Sequence, residues 1–597
     1  MTLAQRLLPL ASRLFALLAM IALVGLMPWL SGRDPALSLL RARSAEQEAT
    51  SEALNAIRQR FGLDDGPLIL LGRWFNRLLH GDAGNSWISG RPVLEGMLQA
   101  TGVSLTLMGY ALAIALLVAL MLALPTLWRG IQGDPRRPAG VVAVALTALP
   151  EFLLAALLLI VGAVWLKWFP PYGWQSLIHV VLPALALGLP AGGLLGLLFS
   201  DGLAATFSER WLITWSLAGI SRRQRLLAVL RRTLPALLPQ IGLVLVGLTG
   251  GAIAVEKVFA IPGLGRATLG AAIAQDLPAL QCGILILLLI AFSAGFLAQG
   301  AHYLLLGRIA ASLPNSAPPQ HNPKVSYLFA AGAALLLCLL VLSGIIRDPL
   351  SSLHIRLQPP SLDLPFGADA TGRDILARVA YGALNTSLLA LAVSFASLFL
   401  GIVFGLMPRL MCGVIELANA TPPIIAGLLV VAISGPSAYG AACAVILASW
   451  APLAAHCASL LAEARTQPYI RMLPVLGIGR WRTLTHYLLP ALWAPLLRHV
   501  MLRLPGIALA LAALGFLGLG PQPPSAEWGL VLAEGMPYLE RAPWGVLAPA
   551  IALILLAVLA VTLANTAGNR RGSRRILARF VVTLGDTSTC RETPCTT

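Results

Sequence analysis

The chain has 597 residues, of which 58% are hydrophobic and 11% charged, with a mean hydropathy of +0.81. Soluble domains carry about 25% charged residues, so the composition excludes a soluble globular protein and points to a polytopic membrane protein. The net charge of +17 does not imply a nucleic-acid partner, because membrane proteins gather Lys and Arg in their cytoplasmic loops.

A membrane span needs about 20 mostly apolar residues. The first candidate is Leu10 to Leu30, read as a retained helix because no small-residue cleavage site follows it. Residues 31–101 form a large polar segment. From Pro67 onward (PLILLGRWFNRLLHG) it is amphipathic and expected to lie along the membrane surface. Spans are expected near 102–127, 139–166, 177–199, 239–258 and 281–305. A Pro-, Ser- and Asn-rich stretch at 308–325 reads as a linker. The second half begins with a span near 326–346 and a polar segment of nearly 40 residues. Further spans are expected near 385–407, 411–433, 439–461, 493–515 and 546–565, giving about six plus six.

Two arginine-studded segments repeat at matching places in the two halves. The first runs from Ser208 to Pro239 and breaks at Ala218-Gly219; the second runs from Gln467 to Pro495 and breaks at Leu476-Gly477. Each is expected to be a basic helical hairpin in which glycine permits a tight turn. With alternating spans, these arginines fall on one side together with Arg129, Arg136, Arg137 and the tail arginines Arg570, Arg571, Arg574 and Arg575. That side is expected to be cytoplasmic, with both termini on it.

No catalytic constellation stands out. The three lysines, Lys167, Lys257 and Lys324, do not follow a GxxxxG, so the chain has no phosphate-binding P-loop. The seven cysteines show no zinc or redox spacing. Proton or sodium relays require ionisable groups inside spans, and the candidates here are few. Glu256-Lys257 reads as a self-compensating pair. Glu416 reads as interfacial or paired with an arginine, and His456 as a hydrogen-bonded packing residue. The spacings Gly188 to Gly192 and Gly401 to Gly405 suit close helix packing.

Around the two basic segments the chain resembles the paired permeases of binding-protein-dependent ABC importers, in the dipeptide, oligopeptide and nickel group. Gly219 and Gly477 match the glycine of that family's cytoplasmic loop, whose Glu-Ala-Ala start is replaced by Ile213-Thr214-Trp215 and Arg471-Met472-Leu473. FGLDDGP (61–67), GDAGNS (81–86), GRPV (90–93), HVVLPALALGL (179–189), VEKVFAIPGLGR (255–266) and QDLPALQ (275–281) resemble the first permease. FGADATGRDILARVAYGALNTSL (366–388) and LGFLGLGPQPPSAEWGLVLAEG (514–535) resemble the second.

The resemblance implies an all-α membrane protein of two homologous halves with about six transmembrane helices each, in the type I ABC importer permease fold. The halves would be 1–307, with a periplasmic segment at 31–101 and a coupling loop at about 200–238, and 326–570, with a coupling loop at about 463–492. The linker at 308–325 joins them, and a cytoplasmic tail covers 571–597. Ala218, Gly219, Arg222, Arg223, Leu476, Gly477, Arg480 and Arg482 would touch the motor. The implied partners are two cytoplasmic ABC ATPase subunits, a periplasmic solute-binding protein and the lipid bilayer. No cofactor is expected on this chain itself, with ATP and Mg used by the ATPases. The expected role is a non-enzymatic permease for di- or oligopeptides in the bacterial inner membrane. Nickel or a metal–chelate complex is the alternative cargo, and an ion-coupled secondary transporter is the alternative from another class.

Overall fold

The fold was analysed in a computed structural model, which describes residues 3–30, 36–37, 40, 50–61, 66–133, 140–147, 149–306 and 323–559. In chain order the helices of the first half are α1 (Leu3–Gly25), α2 (Ser51–Phe61), α3 (Pro67–Leu79), α4 (Val93–Ile131), α5 (Gly140–Thr147), α6 (Glu151–Leu158), α7 (Ile178–Phe207), α8 (Arg210–Leu217), α9 (Arg222–Val258), α10 (Leu264–Ile273) and α11 (Leu277–Leu306). The second half contributes α12 (Pro323–Gly344), α13 (Ile375–Gly405), α14 (Pro408–Asn419), α15 (Pro423–Ser434), α16 (Ala438–Thr466), α17 (Pro468–Met472), α18 (Leu489–Leu517), α19 (Trp528–Gly535) and α20 (Trp544–Leu559). Among the described residues there are no strands, only the isolated bridges Asn85–Pro92 and Ala368–Asp374.

Among the described residues, seven helices are long and apolar enough to cross a membrane, and α14 with α15 adds a pair bent by 98°. The shorter apolar helices Ala11–Gly25, Glu151–Trp165, Ala331–Gly344 and Trp544–Leu559 bring each half to six apolar elements. The expected six-plus-six pattern therefore holds, with corrections to single elements. The stretch 411–433 is not a straight span, because Thr421-Pro422-Pro423 interrupts it. Proline removes an amide donor and disfavours helical geometry in the residue before it. The stretch 139–166 is likewise split at Pro150, and its second part relaxes into a π-helix over Leu159–Trp165. The long helices α4 and α13 begin at Val93 and Ile375, about nine residues before the expected spans. The proposed linker and the tail lie outside the described residues except for 323–325, which open α12.

Small residues let the helices approach closely. Gly188, Gly192 and Gly196 of α7 sit against Ala111, Ala115 and Ala119 of α4, where a Cβ on Gly188 would meet the Ala111 carbonyl at 2.8 Å. Gly401 and Gly405 of α13 do the same against α16, 2.7 Å from Leu453 Cβ and Cys457 Cβ. Backbone approach of this kind drives helix association in lipid, where there is no hydrophobic gain between helices. The two halves thus use one device on corresponding helix pairs.

The entry loops before α4 and α13 also correspond. Gly90-Arg91-Pro92-Val93 matches Gly372-Arg373-Asp374-Ile375, and both glycines have a left-handed φ, +71° and +84°. Each loop is tied down by an acid that lies beyond the Gly-Leu-Gly turn of its own half. In the first half Asp276 accepts from Ser86 Oγ and, at 3.0 Å, from the Trp87 amide. In the second, Glu534 pairs with Arg373 at 2.9 Å and Arg378 at 2.5 Å, and both arginines also reach Asp369. Burial alone would raise the Asp369 pKa. Amide donation from Arg373 and Thr371, and the Arg373 charge, hold it below the usual aspartate value.

Amphipathic α3 exposes Leu68, Ile69 and Leu79 on one side and packs Leu71 and Trp74 against Gly25 of α1 on the other.

Candidate functional site: the paired basic hairpins and the seam between the halves

The first hairpin is α8, a turn and the start of α9. The Ile220 amide donates to the Trp215 carbonyl at 3.2 Å, and the Gly219 amide to that of Ser216 at 3.4 Å. In the second hairpin Ile478 donates to Leu473 at 3.0 Å and Gly477 to Pro474 at 3.1 Å. Both are Schellman turns, which need a left-handed residue just past the helix end. Gly219 has φ +75° and Gly477 φ +72°. Any other residue type there costs about 1–2 kcal/mol. Two residues on, Ser221 and Gly479 start the next helical segments, Ser221 through a capping box with Gln224.

At each tip, Ala218, Gly219, Arg222 and Arg223, and their counterparts Leu476, Gly477, Arg480 and Arg482, are exposed. Large apolar side chains stand beside them: Ile213 and Leu217 in the first hairpin, Val475, Leu476 and Trp481 in the second. Apolar patches rimmed by charge are what a protein partner covers. The bases of the hairpins are fixed from within. Glu209 holds the Arg232 guanidinium at 2.9 Å and the Trp211 indole at 2.6 Å, while Leu212 and Val229 are buried. Ile470 and Leu473 are the corresponding buried anchors in the second half.

The second arm of the first hairpin is continuous with a span: α9 runs 37 residues, with Pro235 and Pro239 inside it, or about 55 Å at 1.5 Å per residue. Its far end meets the other half. Lys257 Nζ donates to the Phe516 carbonyl at 2.9 Å and lies 5.4 Å from the Phe516 ring centroid, and Phe152 stacks on that ring at 5.3 Å. The expected Glu256–Lys257 pair is therefore not formed. Adjacent helical residues do not face each other, and Glu256 turns inward to accept from Ser104 Oγ at 2.5 Å and the Arg266 amide at 2.9 Å. A carboxylate missed in the sequence, Glu527, plays the same part in the second half. It caps α19 through the Leu530 amide at 3.0 Å and meets Thr386 at 3.4 Å. Ser104 and Thr386 each stand eleven residues into α4 and α13.

A second seam joins α1 to α14. Arg13 grips Glu416 with two contacts of 2.8 Å, and Ser12 Oγ donates to the Leu410 carbonyl at 2.7 Å. The arginine partner expected for Glu416 is thus supplied by the first half. His456, expected to be a hydrogen-bonded packing residue, instead stacks its ring on His499 at 4.4 Å, and among the described residues its ring makes no hydrogen bond.

Twin halves, each with a glycine-turned basic hairpin below a helix that reaches the seam, find their match among known proteins. The family model for binding-protein-dependent transport system inner membrane components matches twice, at residues 115–311 and 381–571, which together make up more than half of the chain. The chain belongs to this family. It is similar to the dipeptide transport system permease protein DppC of Alkalihalophilus pseudofirmus, at 34% identity over 34% of this chain and 69% of that protein. A putative peptide transport system permease of Brucella abortus (strain 2308) is 30% identical over 42% of this chain and 82% of its own. A second such permease, of Brucella suis, is 32% identical over 38% of this chain and 82% of its own. These relatives are each matched over most of their length by less than half of this chain. Two permeases of this family are fused in one inner-membrane, multi-pass polypeptide, in the type I importer permease fold.

Proposed function

We propose that this chain is the complete membrane pathway of an ATP-driven importer of di- or oligopeptides, with the solute passing between its two halves. The observation that carries the reading is the double family match, together with relatives named as dipeptide and peptide permeases. Two cytoplasmic ATPase subunits dock on the hairpins, one each, and a periplasmic binding protein delivers peptide at the opposite face. The arginine-rich side, with both hairpins, is cytoplasmic. Gly219 and Gly477 shape the two docking turns, and the exposed arginines and apolar tips form the contact. Hydrolysis occurs on the ATPases, which hold ATP and Mg, and the permease itself performs no chemistry. Because α9 leads from the hairpin to the seam as one continuous helix, with Pro235 and Pro239 within it, displacement of its hairpin by the motor would be passed along it toward Lys257 and Phe516, where the halves meet.

The test compares a strain lacking this chain with its complemented partner, for uptake of labelled tripeptide and of labelled nickel with and without a metallophore. Loss of tripeptide uptake alone, restored by complementation, is expected. Loss of metal uptake alone would replace the peptide reading with a metal or metal-chelate importer.

A further inference from the structure

The two halves treat the ground beside the outer start of α4 and of α13 in opposite ways. Aligning the entry loops on Val93 and Ile375 sets Gly96, Gln99 and Val103 against Arg378, Tyr381 and Asn385, and aligning the Gly-Leu-Gly turns sets Arg266 against Pro521. In the second half protein fills this ground. Arg378 is wholly buried on Asp369, Glu534 and the Ser525 carbonyl. Tyr381 and Asn385 donate to the carbonyls of Ile345 and Ala526, each at 3.2 Å. In the first half the same ground is open. A cleft of about 530 Å³ lies between Gly96, Gln99 and Val103 of α4 and Pro262, Gly263 and Arg266 at the turn into α10.

Depth, surroundings and charge say what would fill it. Val103 stands at the start of the apolar run 102–127, Gly96 two turns outside it, and Arg266 beyond the end of α9 remote from its hairpin. The cleft therefore straddles the membrane boundary on the side away from the hairpins. It also lies on the lipid side. The helix α4 packs on α7, α9, α10 and α11, all of its own half, and below Val103 the exposed Tyr110, Leu117 and Met121 continue the same face at helical spacing. The rim is charged. Arg266 is exposed, its Nη1 donates to the Ala260 carbonyl at 2.5 Å, and its Nε and Nη2 have no partner among the described residues. A guanidinium fork is matched to phosphate. Glu95, exposed one helical turn before Gln99, offers a carboxylate to an ammonium, whereas Glu256 is turned inward to Ser104 and the Arg266 amide.

We propose that this cleft holds one phospholipid of the leaflet away from the hairpins, with its phosphate on Arg266, its ammonium toward Glu95 and an acyl chain along Val103, Tyr110 and Leu117. An arginine at the membrane boundary above an apolar groove suits a lipid that is polar at one end and apolar along the rest. A zwitterionic headgroup complements a rim that carries Arg266 and Glu95 together. The second half has no room for such a lipid, because Arg378 and its acids occupy that place. The site concerns the membrane and not the cargo, so it holds whichever solute is carried.

The experiment is native mass spectrometry of the full chain, purified with equal amounts of phosphatidylethanolamine, phosphatidylglycerol and phosphatidylcholine. The unaltered chain should retain one phosphatidylethanolamine. Gly96→Leu fills the cleft from a position where a Cβ meets no atom within 4 Å, and Arg266→Gln removes the phosphate partner. Each should weaken retention about tenfold, the loss of one good contact, and Arg266→Lys, which keeps the charge, should recover most of it. An unaltered chain without bound phospholipid overturns the site, as does full retention by Gly96→Leu. Loss in Arg266→Gln alone, with a lowered unfolding temperature, would mark a structural role for the Ala260 contact and overturn it too. Preference for phosphatidylglycerol would overturn the zwitterionic assignment. Displacement of the lipid by an equal concentration of glycerophosphoethanolamine, which has no acyl chains, would overturn the lipid in favour of a free phosphate. Full retention by Gly96→Leu with loss of binding-protein capture would make the cleft a protein contact instead.

Discussion

The two halves are alike where the backbone must take one special conformation and unlike where side chains merely need partners. Both hairpins use a left-handed glycine in a Schellman turn, and both helix pairs behind them rely on glycines in contact with a neighbouring backbone. Both entry loops pivot on a glycine with positive φ. Partnering is then solved separately in each half. One loop is held by a neutral hydroxyl and an amide on Asp276, the other by an ionic cluster around a wholly buried Arg378. One short outer helix is secured by Glu256 from the helix before it, the other by its own N-cap Glu527. Geometry with few solutions stays symmetric across a duplication, and chemistry with many solutions drifts.

The comparison can be broken first at the hairpins. Gly219→Val together with Gly477→Val is expected to bring peptide uptake to background, because each places a β-branched residue where the left-handed turn costs about 1–2 kcal/mol or more. The chain should still reach the membrane, as neither glycine has another atom within 4 Å of its would-be Cβ. Each single variant should lose about the same activity as the other. A strong defect in one alone would show that the hairpins are not equivalent.

The entry loops sharpen the contrast. Asp369→Ala strips one carboxylate from both Arg373 and the buried Arg378 and is expected to destabilise the second half by about 3–5 kcal/mol. Asp276→Ala leaves only a hydroxyl and an amide unmet, at about 1–3 kcal/mol. Thermal unfolding of the purified chain measures both, and equal losses would erase the distinction.

The same cluster carries the smaller pH effect. Because the folded Asp369 holds its proton less tightly than the unfolded group, its contribution is complete above about pH 4, the ordinary aspartate value. It is lost as pH falls through the lower folded-state value. Hydrogen exchange around 366–378 should therefore rise in acid. The smallest effect belongs to Arg13→Gln at the α1–α14 seam. Both partners there are more than half exposed, so the loss is expected to be below about 1 kcal/mol.

Much of this was legible in the sequence. Apolar length located six elements in each half, and the repeated arginine-and-glycine pattern located the hairpins, because both signals are local. The break at Thr421-Pro422-Pro423 was legible too, yet a hydropathy window averages over it, and the 411–433 stretch reads as straight. Glu256 and Lys257 read as a pair because they are neighbours in sequence. Helical geometry sends one to Ser104 and the other 259 positions away, to Phe516. Glu527, Arg378 and the Arg13–Glu416 clasp depend on contacts between distant segments, which no window of sequence contains.

The proposal that an external ATP-driven motor works this chain by gripping two equivalent hairpins can be tested directly. The direct measurement is labelled tripeptide uptake into vesicles holding the chain, its ATPases and its binding protein, with and without ATP and with the membrane ion gradients collapsed. Uptake that requires ATP, survives loss of the gradients and disappears in the Gly219→Val, Gly477→Val double variant is the predicted result. Uptake that runs without ATP and stops when the gradients collapse would contradict it and mark an ion-coupled transporter.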